Sequence, residues 1–265
     1  MPVPLVDLLA DLAAETEVLD AILADLPADG YERPTPAVGW AVRDQVSHLA
    51  YFDETATLAA EDPDRFRAEA AELMVLGDAF PDVVAARHRR LSAPELLDWF
   101  RGARKRLLDV FGVVDPKTRV PWYGPDMSIA SSVTARLMET WAHGQDVADA
   151  LGVRREPTHR LRHVAHLGVR TFGFTFRLHG REVPTGPVRV ELTAPDGGVW
   201  GWGPEDARDA VRGTALDFCL AVTQRRHLDD LSLDIVGPVA TEWMSIAQAY
   251  AGAPGPGRAS MGRGA

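Results

Sequence analysis

Reactive sulfur is almost missing from this sequence. Its 265 residues include one cysteine, Cys219. A single thiol forms no intrachain disulfide and no cysteine-rich zinc site. It lies in the apolar run Ala215-Leu216-Asp217-Phe218-Cys219-Leu220, so a buried, inert thiol is expected. Positive charge is also in deficit, with 28 Lys and Arg against 38 Asp and Glu and a net charge of −10. That balance argues against nucleic acid or an anionic membrane surface as the main partner. No basic stretch leads into an apolar core near the N-terminus, so no signal peptide is expected. No apolar run reaches the length of a membrane span. There is no glycine-rich phosphate loop, no nucleophile elbow and no Cys-x-x-Cys. The expectation is a cytoplasmic protein, and any thiol chemistry would draw its sulfur from a small molecule.

What is present is enough for one large domain or two ordinary ones. Apolar residues make up 46% and charged residues 25%, the usual balance of a globular chain. Leucines at helical spacing predict an amphipathic helix over residues 3–26, stopped by Pro27 and Asp29-Gly30. A second helix is predicted from near Trp40 to about Glu61. Its stripe is Val42, Val46, Leu49, Asp53, Ala56 and Ala60, with His48 at the edge beside Gln45 and Phe52. Residues 62–91 read as one or two short surface helices with a break at Phe80-Pro81-Asp82. Arg87, His88, Arg89 and Arg90 there read as a solvated basic face. Ser92-Ala93-Pro94-Glu95 is a capping box that opens a helix closed by Gly112. Residues 112–127 read as a loop carrying Trp122 and Tyr123, which either line a pocket or pack the loop down. Ser128 caps a helix running to Leu151. Four principal helices in residues 1–152 suggest an antiparallel four-helix bundle.

Beyond it the pattern changes. Residues 161–178 read as helix, 188–192 and 199–202 as strands joined by an Asp196-Gly197 turn. Residues 207–223 read as helix, 231–235 as strand and 241–250 as helix. The expected architecture is therefore α-rich and two-part, with a small α+β domain over 156–250. The tail over 252–265 is expected to be disordered.

Glu139 and His143, four residues apart, share one face of the Ser128 helix. A carboxylate and an imidazole are ligands for a divalent metal, and a third ligand would have to come from elsewhere. His48 is the candidate, since a bundle brings facing helices to one interior point. Two His and one Glu would leave an open position, the pattern of a catalytic zinc site. A surface ion pair is the plain alternative for Glu139 and His143. His159, His163 and His166 form a competing set on a later helix, but arginines at 160, 162 and 170 would repel a cation.

These residues resemble a known family. The segment Thr35-Pro36-Ala37-Val38-Gly39-Trp40-Ala41-Val42-Arg43-Asp44-Gln45-Val46-Ser47-His48-Leu49 resembles the opening of the second helix in DinB/YfiT-like metal-binding bundles. More narrowly, it is similar to the N-terminal domain of the mycothiol-dependent maleylpyruvate isomerase family. Glu139-Thr140-Trp141-Ala142-His143-Gly144-Gln145-Asp146-Val147 resembles the last helix of that domain. The resemblance covers roughly residues 1–152 and implies His48, Glu139 and His143 as the metal ligands. It implies zinc, with nickel or iron also suited to His and Glu, and mycothiol as a possible co-substrate. Residues 156–250 would then be a sterol-carrier-like domain, with Gln224-Arg225-Arg226 at its cleft. The whole chain looks closer to an actinobacterial metal-binding subgroup whose C-terminal part is sometimes labelled for wyosine base formation.

Three functions follow as expectations. The first is a metalloenzyme using a small-molecule thiol for isomerisation, conjugate addition or transfer on an electrophilic or carboxylate-bearing substrate. Arg136, Arg225 or Arg226 would hold the carboxylate, with surface roles as the alternative for each. The second is a hydrolase using metal-activated water. The third is a non-catalytic, metal-stabilised binding or regulatory module whose second domain holds an apolar ligand.

Overall fold

The structure is a computed structural model describing residues 3–255 and 257–262. The chain divides into two compact units, Met1–Arg155 and Glu156–Ala265. No helix among the described residues is long and apolar enough to cross a membrane.

The first unit is helical. Its long helices are α1 (Leu5–Ala24), α2 (Val42–Glu61), α5 (Ala93–Phe111) and α6 (Ile129–Leu151), with the shorter α3 (Pro63–Met74) and α4 (Phe80–His88) between α2 and α5. Pro81 sits in the first turn of α4, so it starts that helix instead of breaking one; its missing N–H is no loss there. The boundaries follow local chemistry. Asp62 caps α3 by accepting from Arg65 N (3.1 Å). Ser92 N donates to Glu95 Oε2 (2.8 Å) in the expected capping box. Ser128 Oγ accepts from Ser131 N (3.1 Å) at the start of α6, and Gly152 ends it at φ +68°, a conformation that favours glycine.

Helix α2 packs on α5 and α6, and α1 packs on α6 and α5. The apolar stripes meet in a core that includes Leu19, Leu23, Val46, Leu49, Phe100 and Val147. Residues 112–127, expected as plain loop, contain a short antiparallel ribbon, β1 (Arg119–Val120) with β2 (Met127–Ser128). Trp122 and Tyr123 lie at its tip.

The second unit is α+β. Strands β3 (Val188–Thr193), β4 (Val199–Trp202), β5 (Asp209–Thr214) and β6 (Asp234–Val236) form a mixed sheet in the order β4-β3-β5-β6. Only β3 and β5 run parallel. Helices α7 (Leu161–Arg170), α8 (Phe172–Leu178), α9 (Ala215–Val222) and α10 (Pro238–Ile246) accompany the sheet. A Cβ at Gly168 would lie 2.7 Å from Val222, so glycine lets α7 approach α9 closely.

Several expectations needed correction. Residues 207–223 are not one helix, since 209–214 form the strand β5. Apolar residues there suit a helical period, but β3 has a free edge beside it, and six residues of Asp209–Thr214 pair with it in parallel register. Tertiary pairing overrides the weak local preference. Thr214 then caps α9 by accepting from Asp217 N (3.0 Å). Asp209 has a second task, accepting from Val239 N (2.7 Å) and Ala240 N (3.0 Å) at the start of α10. This draws the last helix to 238–246, earlier than the expected 241–250. The helical stretch 161–178 is two helices divided at Thr171.

The tail expected to be disordered is coil, but it is tied down. Arg258 Nε donates to Gln224 O (3.3 Å), and Ser260 Oγ donates to Asp230 Oδ1 (3.0 Å). Residues 256 and 263–265 of that tail lie outside the described residues.

Candidate metal centre

His48 projects from α2, and Glu139 and His143 from α6. His48 and Glu139, 91 positions apart in sequence, are brought together by the packing of α2 on α6. Both imidazoles point at one carboxylate oxygen. His143 Nε2 lies 3.0 Å and His48 Nε2 lies 3.6 Å from Glu139 Oε2. One ligand atom from each residue lies within 4.8 Å of the others, the one such group of three or more His, Cys, Asp and Glu side chains among the described residues.

A tetrahedral zinc ion with bonds of roughly 2.0–2.2 Å holds its ligand atoms about 3.3 Å apart. The observed 3.0 and 3.6 Å bracket that value. The donor chemistry also fits, because two imidazoles and one carboxylate leave a fourth position open.

The electrostatics point the same way. Burial alone would raise the Glu139 carboxyl pKa. Hydrogen bonds and charge from His143 and His48 outweigh it and hold the group well below the usual carboxylate range. The site keeps a carboxylate in a largely buried position, and that costs free energy unless a positive partner is at hand.

Neighbouring groups set the imidazole planes. Trp40 stacks near His143, with centroids 6.0 Å apart and planes 21° apart, and lies 5.3 Å from His48. Phe52 covers the other side of His48 at 4.5 Å. Gln45 Oε1 meets His143 Nδ1 at 2.5 Å.

Comparison with known proteins agrees with this geometry. Residues 12–148, which contain all three donors, match the family described as the mycothiol maleylpyruvate isomerase N-terminal domain. The chain belongs to that family. Two uncharacterised proteins of Mycobacterium tuberculosis, from strains CDC 1551 and H37Rv, are each 49% identical over 253 residues. Those residues are 94% of this chain and 97% of each relative. Two solved structures share the fold: mycothiol-dependent maleylpyruvate isomerase and a histidine-to-alanine mutant of it. Their TM-scores are 0.59 and 0.62, at 15% identity, covering 88% of this chain and 93% of theirs. Residues 184–234 match a second family, described as wyosine base formation.

The other expected site residues fall into different settings. Arg136, expected to hold a substrate carboxylate, is buried and committed elsewhere. Its Nε donates to Asp53 Oδ1 (2.9 Å). Arg104 meets the same carboxylate, Nε donating to Oδ2 at 2.7 Å. Arg136 therefore ties α6 to the Asp53 carboxylate of α2 within the core. Trp122 and Tyr123 pack the ribbon down. Trp122 stacks on Phe66 (5.9 Å, 9°) and Tyr123 on Phe80 (5.2 Å, 27°), while Phe52 touches both and passes the contact to His48. Burial pushes the Tyr123 phenol pKa up, with Tyr51 adding to it.

In the second unit, Arg226 lines a cavity of about 280 Å³ with His179, Gln224, His227, Met244 and Arg258. Arg225 is half-buried beside it, its Nη1 donating to Thr223 O (2.6 Å). The competing histidines do not converge. His159 lies 3.5 Å from Asp196, His163 is buried, and His166 accepts from Trp202 Nε1 at 3.4 Å. Arg89, read as part of a solvated face, is exposed and also forks onto the buried Asp44 at 2.8 and 3.1 Å.

Two features escaped the sequence reading. The Asp53–Arg104–Arg136 network did, although an aspartate on an otherwise apolar stripe was its signal. The role of Gln45 and Thr35 beside His143 left no comparable mark.

Proposed function

We propose that His48, Glu139 and His143 hold a divalent cation, zinc first and nickel or iron next. We further propose that the protein is an enzyme working with a low-molecular-weight thiol such as mycothiol. The observation that carries this is the meeting of two imidazoles on one partly buried carboxylate oxygen with three protein donors in all. Three donors suit a catalytic metal better than a structural one. A bound cation of this kind lowers the pKa of a coordinated thiol and so supplies a nucleophile at neutral pH.

This chain's residues do the rest. Trp40 and Phe52 keep the imidazole planes in place and exclude water from their flanks. The protein's own thiol is out of play: Cys219 is fully buried, and burial pushes its pKa well above the usual thiol value. The attacking sulfur therefore comes from the co-substrate. Its targets would be electrophilic, carboxylate-bearing molecules undergoing isomerisation, conjugate addition or sulfur transfer. The compartment would be the cytoplasm, where small thiols are kept reduced.

The test is thiol-dependent turnover. Metal-loaded protein is incubated with mycothiol and a maleylpyruvate-like acceptor, then with other electrophiles. Turnover that needs both metal and thiol is expected. Ester or amide hydrolysis without added thiol would instead favour the metal-activated water reading.

A second reading has one observation in its favour. The cavity of the second unit, lined by Arg226, Arg258, His179, His227, Met244 and Ile246 among others, suits a non-catalytic module that holds a small ligand. Metal binding with no turnover across the panel would favour it.

A further inference from the structure

The hydrogen bonds behind His143 run in one direction, and each member's role is forced by the one before it. The chain begins at the carbonyl of Trp40, which can only accept. Thr35 Oγ1 donates its proton there (2.9 Å). That hydroxyl oxygen is left as an acceptor, and Gln45 Nε2 donates to it (2.8 Å). The amide of Gln45 is thereby oriented, with Oε1 turned to His143 Nδ1 at 2.5 Å. An amide oxygen only accepts, so Nδ1 bears a proton. The remaining nitrogen, Nε2, is the one 3.0 Å from Glu139 Oε2.

We infer that Gln45 and Thr35 are positioning residues that hold the proton of His143 on Nδ1 and so assign Nε2 as the metal-ligating atom. The relay is built into the loop before α2. Thr35 N donates to Trp40 O (2.8 Å), and Trp40 N donates to Ala37 O (3.0 Å). Gly39 turns the chain at φ +83°. The turn sets Thr35 across from Trp40, whose indole covers both imidazoles. Gln45 is fully buried and Thr35 nearly so, so no solvent competes for the amide. The rule is general: a ligating imidazole donates its other N–H to a fixed acceptor, which sets tautomer and ring orientation.

This inference rests on the metal reading for its consequence but not for its test. Nitrogen-15 NMR of histidine-labelled, metal-free protein reads directly whether Nδ1 of His143 bears a hydrogen. The expected result is a slowly exchanging Hδ1 on His143, lost in Gln45→Leu. Gln45→Glu keeps an acceptor at that place and should retain it. Thr35→Val frees the amide to turn over and should shift the same resonances. In zinc titrations Gln45→Leu is expected to bind roughly 10–100-fold more weakly, Gln45→Glu much less so. Should Gln45→Leu not fold, Thr35→Val and Gln45→Glu carry both measurements. A bare Nδ1 in the native protein would overturn the inference. So would a Gln45→Leu variant with His143 resonances and zinc affinity unchanged. Failure of the native protein to bind zinc at all, with Hδ1 in place, would sink the metal reading and leave the relay standing.

Discussion

Helix α2 carries the buried Asp53 and helix α6 the partly buried Glu139, and the molecule treats these two carboxylates differently. Asp53 has two guanidinium groups of its own: Arg104 at 2.7 Å and Arg136 at 2.9 Å. Thr140 takes a further hydrogen bond from Arg104 at 2.9 Å. All three charged groups are at most 3% exposed. Glu139, three residues along α6 from Arg136, has the imidazoles of His48 and His143 as its charged partners among the described residues. Arginine is a cation at any ordinary pH, so the first cluster is electrically complete as folded. Imidazole carries charge conditionally, so the second cluster has room for a cation from outside. One cluster fastens the helices, and the other is a group that could hold a metal ion.

The sharpest way to break this contrast is to remove the first carboxylate. Asp53→Ala strands two buried arginines. It should cost ~3–5 kcal/mol, the usual penalty for orphaning a buried charge, seen as a lowered midpoint in denaturant unfolding of metal-free protein. The matching change in the other cluster, His48→Ala, should cost far less in metal-free protein.

Zinc should then separate the clusters in the opposite sense. At a free concentration 100 times its dissociation constant, it should stabilise the native protein by about 2.7 kcal/mol. His48→Ala should lose most of that gain. Elemental analysis of the purified protein should find about one zinc per chain, and much less in the variant. An equal thermal shift in both proteins would mean that the three donors are not the site.

A smaller effect is expected in acid. The folded Glu139 carboxyl is depressed below its unfolded value. Its ionised form therefore contributes stability that is fully present above the unfolded carboxylate pKa and is lost as pH falls through the folded one. Metal-free Glu139→Gln should show a shallower acid limb in stability against pH than the native protein. A limb of unchanged slope would show that the carboxylate is not held by the imidazoles.

The least effect is expected at Cys219. Native protein should react with a thiol reagent only as fast as it unfolds, since the sulfur is buried and its pKa raised. Rapid labelling of the folded chain would reopen the question of an internal nucleophile.

Much of the helical unit was legible from residues alone. Capping at Ser92 and Ser128, the stop at Gly152 and the leucine spacing of α1 are local chemistry, and local chemistry is written in sequence. The second unit was harder, because β5 owes its form to the open edge of β3 more than to its own six residues. The donor set was visible as a motif. Its surroundings were not: Ser132, Arg136 and Asp146 lie on the same side of α6 as Glu139 and His143, and all three are buried. A helix that packs on two neighbours buries more than one face, and a single periodicity does not reveal the second.

By itself, then, the chain's order of residues determined where the long helices of the first unit begin and end, that its lone thiol would be buried, and which three side chains were candidates to bind a cation. Tertiary packing alone decided that Arg136 would serve Asp53 rather than a ligand. It also decided that 209–214 would be a strand and that Gln45 would stand behind His143. The reason is physical: caps and periodicity act over a few residues. Pairing of charges and hydrogen bonds across helices depends on distances that exist only once the helices have packed.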